Sequence, residues 1–193
     1  MKVVGRDGLS KLTNRTVARE AGLAHGLIPY YFPSRDELLR EAFRYAVGRS
    51  ASRLVQASGC SVEEFAAGLG ARVAVEPEEE AFQYEMLLAA LRRPEMLAEV
   101  RATYAGYVTA VHDELRRYGI AEPTDALARL VFAALDGLVL QQLLYGDPRS
   151  TETAVIRLRE LLRSVRDESR RRQQGGREAD GDSAAAGDGP ASP

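Results

Sequence analysis

The sequence has no tryptophan, one cysteine and two histidines in 193 residues. A single cysteine, Cys60, excludes an internal disulfide and fits a reducing, cytoplasmic compartment. So few His and Cys side chains leave no donor set for a transition-metal site. The acidic run "EPEEE" at 76–80 reads as a solvated first helical turn favoured by the helix dipole, not as a metal cluster. No run of about 18 apolar residues is found, so no membrane span is expected, and the N-terminus lacks a secretory apolar stretch. No segment alternates apolar and polar residues over strand lengths, and no Asn-Gly or Asp-Gly hairpin flanked by such strands occurs. G-x-S-x-G, H-E-x-x-H and P-loop patterns are missing, and neither Cys60 nor His25 has evident catalytic partners. An all-helical small-molecule enzyme is therefore a poor reading.

What is present is helix and unevenly placed charge. The net charge of −2 hides an asymmetry: residues 1–53 carry ten Lys/Arg against five acids, whereas residues 54–150 carry eight Arg against fifteen. A basic N-terminal third on an acidic body suggests a polyanion-binding head. Turn signals divide the chain. Gly5 and Gly8 flank a short N-terminal stretch, and a helix from Thr13 ends near Ala21–Gly22. Ser34 opens a long helix to about Ala57, and "SGCS" (58–61) breaks it. Further helices are expected at 61–75, 76–91, 94–118, 124–145 and from Ser150 or Thr151 to about Arg172. From Gln173 onward the chain lacks large apolar residues and reads as a disordered tail.

The segment "LTNRTVAREAGLAHGLIPYYFPSRDELLREAF" (12–43) has the makings of two short helices that cross steeply. Such a crossing needs a small residue at the approach, here Ala18, and a residue tolerant of positive φ at the turn, here Gly22. Val17, Ala21, Leu23, Ile28 and Tyr31 form the expected inward set. Thr13 caps the first helix. The second helix is expected to start near Ala24 and run to Tyr30, cut short by Pro29. Proteins that read DNA this way aim the start of the second helix into the major groove. Thr13, Arg15, Tyr31 and Arg35 then become candidate phosphate contacts. Ser34 with Glu37 makes a capping box, and Arg35 in that first turn favours a phosphate.

This segment resembles the DNA-binding signature of TetR-type bacterial regulators. The family pattern, I/V-A-x-x-A-G-V/L, a small residue, then x-G-x-I/L-Y-x-Y/H-F-x-S/N-K/R-D/E-x-L, is matched from Val17 to Leu38. The resemblance implies base contacts from His25, Gly26 and Tyr30. Leu27 can touch only a thymine methyl or a sugar. Three positions depart from the pattern. Ala24 stands where the family has a serine cap, Leu27 where Thr or Ser is usual, and Pro29 where the family has tyrosine. The family also places a full amphipathic helix before the equivalent of Gly8, whereas only Met1 to Val4 precede Gly5. Either Met1 is not the natural start or the head's first helix is incomplete.

The resemblance implies an all-α protein: a helix-turn-helix head over residues 1–48, a ligand-binding and dimerisation body over 49–172, and the tail over 173–193. The helices at 124–145 and 150–172 carry apolar stripes joined by "GDP" and form an antiparallel hairpin. In TetR-like proteins this pair builds a four-helix dimer interface, so a homodimer on a palindromic operator is expected. The helices at 61–75, 76–91 and 94–118 would enclose a small-molecule chamber. Its candidate lining is Phe65, Phe82, Met86, Tyr104, Tyr107, Val108 and Val111, with Leu69, Leu87 and Phe132 beside them. His112 and Glu85 are candidate polar contacts. An apolar chamber suits a lipophilic effector. The function implied is a cytoplasmic, ligand-responsive repressor with no cofactor, metal or membrane partner. The alternative is a helical sensor module whose DNA head is inactive.

Overall fold

The structure, a computed structural model, describes residues 1–56 and 61–185. Cys60 and most of the expected "SGCS" break lie outside the described residues. Every regular element described is helical, in the order α1 (Lys2–Asp7), α2 (Asn14–Ala21), α3 (Leu27–Tyr31), α4 (Arg35–Gln56), α5 (Leu69–Val75), α6 (Pro77–Ala90), α7 (Pro94–Arg117), α8 (Asp125–Tyr145) and α9 (Pro148–Ala185).

Two apolar clusters organise them. In the first, Val3 and Val4 of α1 meet Leu39, Phe43 and Ala46 of α4, Phe82, Met86 and Ala90 of α6, and Met96 and Val100 of α7. In the second, Phe65, Leu69 and Val73 pack on Val111, Leu115 and Tyr118 of α7, Val131 and Leu135 of α8, and Val155 and Leu162 of α9. The first cluster explains Gly5, which lies inside α1 and not at the edge of a loop as the sequence suggested. A Cβ there would sit 1.9 Å from the Glu78 carbonyl oxygen, so glycine permits backbone contact between α1 and α6.

Several helix ends follow the expected chemistry. Thr124 Oγ1 accepts from Leu127 N at 3.2 Å and caps α8. Pro77 and Pro94 sit in the first turns of α6 and α7. Of the box expected from Ser34 and Glu37 only half forms: Ser34 Oγ accepts from Glu37 N at 3.1 Å, while the Glu37 carboxylate turns to Arg40 at 3.1 Å.

Three expectations are corrected. The helix expected over 61–75 is a 3₁₀ turn at Val62–Glu64 followed by α5. Ala66 (φ 52°) and Gly68 (φ 70°) are left-handed, and α9 satisfies the freed backbone. Arg159 Nε donates to the Phe65 carbonyl at 2.8 Å, and Gly68 N donates to Glu152 Oε2 at 3.0 Å. The last helix starts at Pro148, not Ser150, because Asp147 Oδ1 accepts from Arg149 N and Ser150 N at 3.1 and 3.3 Å. It also continues beyond Arg172 to Ala185, with no proline in that stretch to stop it.

One described helix, α8, is after all long and apolar enough to cross a membrane, with a mean hydropathy of 1.5. Its apolar residues divide between the second core and an exposed face.

Candidate functional site

The head is built from its caps upward. Thr13 Oγ1 accepts from Thr16 N at 3.1 Å and Thr16 Oγ1 accepts from Thr13 N at 2.9 Å, a reciprocal box that fixes the start of α2. Gly22 turns the chain at φ 66°, and Leu23 N donates to the Ala18 carbonyl at 2.9 Å. The second helix is shorter than expected and starts later, at Leu27 with Gly26 as its N-cap, not at Ala24. Pro29 is therefore its third residue, where a backbone N–H has no intrahelical acceptor to lose. The helix ends because Phe32, preceding Pro33, is extended (φ −125°, ψ 98°). Pro33, not Pro29, limits it.

A single turn can bury little. Ile28 is buried and Val17 half-buried, whereas Ala21, Leu23 and Tyr31 of the expected inward set are exposed. This exposure leaves a polar and aromatic face. Thr13, Arg15, His25, Gly26, Leu27, Tyr30, Tyr31 and Arg35 are all exposed. The Tyr30 and Tyr31 rings meet edge to face at 5.0 Å. Lys11, Arg15 and Arg19 are exposed and make no ion pair among the described residues. The Arg35 guanidinium donates to the Leu9 carbonyl, tying the first turn of α4 to the 3₁₀ turn before α2.

In the body, α4 to α8 enclose a cavity of about 110 Å³. Its walls are mainly apolar and aromatic: Phe43, Leu69, Tyr104, Tyr107, Phe132, Leu135 and Val139. Tyr107 stacks on Phe132 at 5.5 Å, and Tyr104 meets Phe132 edge to face at 5.3 Å. Arg72, Glu80, Gln83, Tyr84 and Asp136 add polar groups. Gln83 Nε2 donates to Glu80 Oε2 and to Ser50 Oγ, each at 3.1 Å. Tyr84 Oη donates to Asp136 Oδ1 at 3.0 Å and to its carbonyl at 2.8 Å.

Burial raises the Glu80 carboxyl to about 7, helped by Glu79 and opposed by Arg72. Burial also raises Asp136, against the hydrogen bond from Tyr84, and lifts Tyr107 to about 12. Desolvation lowers Arg72.

Of the seven expected lining residues only Tyr104 and Tyr107 reach this cavity; Leu69 and Phe132 also do. Phe82 and Met86 are fully buried in the cluster shared with α1 and α4. Phe65 and Val111 belong to the second core, with Val108 packed against it. The reason is the two-sidedness of α6. Its apolar residues at 82, 86 and 90 face the head, while Glu80, Gln83 and Tyr84 face the cavity. The polar i, i+3, i+4 set of Glu80, Gln83 and Tyr84 was the signal that could have found them. Asp136, a carboxylate within the apolar stripe of α8, was another. "EPEEE" is likewise no solvated turn: Glu79 is buried and pairs with Arg49 at 3.1 Å, Glu76 pairs with Arg49 at 2.7 Å, and Glu80 lines the cavity. Glu85 and His112 do not line it.

Comparison with known proteins decides the family. Residues 1–42 match the model for "Bacterial regulatory proteins, tetR family", and residues 60–164 match that for "Tetracyclin repressor-like, C-terminal domain". The chain belongs to the TetR family. It is a transcriptional regulator and not an enzyme.

Among solved structures, the TetR-family chain resembles the multidrug binding protein EbrR complexed with imidazole. That likeness has 30% identity over 85% of this chain and 88% of that one, with a TM-score of 0.54. It also shares its fold with a TetR-family structure from Rhodococcus sp., at 23% identity over 85% and 92% of the two chains and a TM-score of 0.59. No curated protein matches it. In this TetR-family regulator, α8 and α9 also expose large apolar side chains: Leu130, Leu140, Leu144, Tyr145, Ile156 and Leu161.

Proposed function

We propose that this regulator is a homodimeric repressor, released from a palindromic operator when a lipophilic, aromatic small molecule fills the cavity between α4 and α8. The observation that carries the reading is the placement of α6. One face of this helix lines the aromatic cavity, and the other packs on α1 of the head through Gly5, Val3 and Val4. A ligand that shifts α6 therefore shifts the head, and any difference in its affinity for the two arrangements becomes a difference in DNA affinity. The likeness to a multidrug binding protein supports an effector of this kind.

In this reading residues 1–48 are the head, residues 49–172 the body and residues 173–193 a tail. Arg15, Arg35, Thr13 and Tyr31 contact phosphates, and His25, Gly26, Leu27 and Tyr30 approach the bases. The exposed stripe on α8 and α9 gives each copy an apolar face of the kind a twofold partner covers, which explains an apolar helix exposed to water. The compartment is the cytoplasm, where the DNA is.

Selection of DNA sites with the full chain, followed by anisotropy titration, tests the reading. Specific binding by a dimer that steepens with falling salt is expected. Specific binding that no aromatic small molecule weakens would leave a DNA-binding protein without the effector response.

A further inference from the structure

We propose that the cavity takes its effector as a planar cation, and that the cation enters in exchange for the proton of Glu80, so that effector binding releases a proton to water. This rests on the reading of the cavity as the effector chamber.

The geometry sets up the exchange. Two carboxyl groups, Glu80 and Asp136, share a cavity walled by Tyr104, Tyr107 and Phe132. Ring faces and carboxylates both favour a positive guest, and more so where water is excluded. The arginine in the wall offsets them only in part: its charge acts on Glu80 through space, against the burial that raises that carboxyl. Arg72 Nη1 donates to the Ala67 carbonyl at 2.5 Å, and Glu80 is in no ion pair among the described residues. Arg49 of α4 is held by Glu76 and Glu79. From α7, the titratable groups are the neutral Tyr104 and Tyr107, and α8 offers Asp136, a like charge. From α1, the Met1 amino group acts on Glu79. On α6 itself Glu76, Glu79 and the phenol of Tyr84 add no cation. An empty cavity thus favours a protonated Glu80, in keeping with its raised titration near 7. A cation beside it favours the carboxylate. The balance is a carboxylic acid and a cation giving a carboxylate–cation pair and one proton.

The test is calorimetric titration of the full chain with 1-methylquinolinium, whose fixed charge carries no proton. Its uncharged isostere 1-methylnaphthalene is titrated in parallel. At pH 7, in phosphate and in Tris, the two heats should differ by about half the difference between the two buffers' ionisation heats per quinolinium bound. Quinolinium affinity should rise about tenfold from pH 5 to 6 and level above 8, while that of methylnaphthalene stays constant. Glu80→Gln should abolish the proton release and weaken quinolinium by at least about a hundredfold at pH 8, leaving methylnaphthalene binding unchanged.

Equal binding of both probes with no buffer dependence would overturn the proposal and leave the chamber standing. Binding of neither would overturn both. Proton release that survives in Glu80→Gln would overturn the assignment to Glu80. If that variant fails to fold, the buffer pair and pH series on the natural sequence still decide.

Discussion

The joint between head and body can be tested at one methyl group. Gly→Ala inside a helix ordinarily stabilises by about 1 kcal/mol. At Gly5 the sign should reverse. The new Cβ would lie 1.9 Å from Glu78 O and 2.7 Å from Glu78 C, both backbone atoms that no rotamer change can move. Reaching ordinary contact requires α1 and α6 to part by about 1.5 Å, the difference between 3.4 and 1.9 Å. That opens the packing of Val3 and Val4 on Phe82 and Met86, all now 5% exposed or less. Overpacking costs about 1–3 kcal/mol, and an immobile backbone partner puts Gly5→Ala at or above the top of that range. For a chain of this size a melting temperature lower by about 6–12 °C follows. Gly106→Ala is the control. Gly106 is exposed on α7 with nothing within 4 Å of its new methyl, so it should gain about 1 kcal/mol or less. Both are read by thermal denaturation at equal protein concentration, because dimerisation makes melting concentration-dependent. A Gly5→Ala protein that melts with or above the natural sequence would refute the close approach of α1 and α6.

Other residues give independent checks. Arg159→Met should destabilise by roughly 1–3 kcal/mol in urea unfolding, because it strands the Phe65 carbonyl that the guanidinium holds at 2.8 Å, while Glu152 keeps its bond from Gly68 N. Thr13→Ala removes the cap of α2 and should cost about 1 kcal/mol, with Thr13→Ser restoring most of it. Stability should also vary with pH through Glu80. Its folded titration lies above the ordinary 4.5, so the folded chain binds more protons across the window from 4.5 to about 7. The contribution is therefore a loss that sets in as pH rises through that window and is constant above it, of order 3 kcal/mol. Glu80→Gln should flatten this fall in denaturation measured from pH 5 to 8.

Much of the head was legible because its features are local. A capping threonine at 13, a left-handed glycine at 22 and a small residue at 18 each act on neighbours within one turn. The start of α3 was not, because Ala24 and His25 carry no strong signal either way. Only the φ/ψ demand of Pro33 on Phe32 fixes the end. The cavity was half legible. Its aromatic walls on α7 and α8 followed from helical spacing. Phe82 and Met86 were misplaced because apolar periodicity reports that a residue is buried, not against what. The contact that reassigns them, α1 against α6, joins residues over seventy positions apart through a glycine that alone reads as a breaker. Arg159 was invisible for the same reason: its partner is a loop carbonyl more than ninety residues away.

The proposed function depends on linkage between the cavity and the DNA-binding face. Anisotropy titration of a selected operator by the full chain, across salt concentrations and with rising 1-methylquinolinium, tests it most directly. Salt-dependent specific binding is expected, with a slope that falls by about 1 phosphate contact per site in Arg15→Ala and Arg35→Ala. The cavity ligand should weaken operator binding, and operator DNA should weaken ligand binding by the same factor. Operator affinity unchanged by a ligand that calorimetry shows to be bound would contradict it.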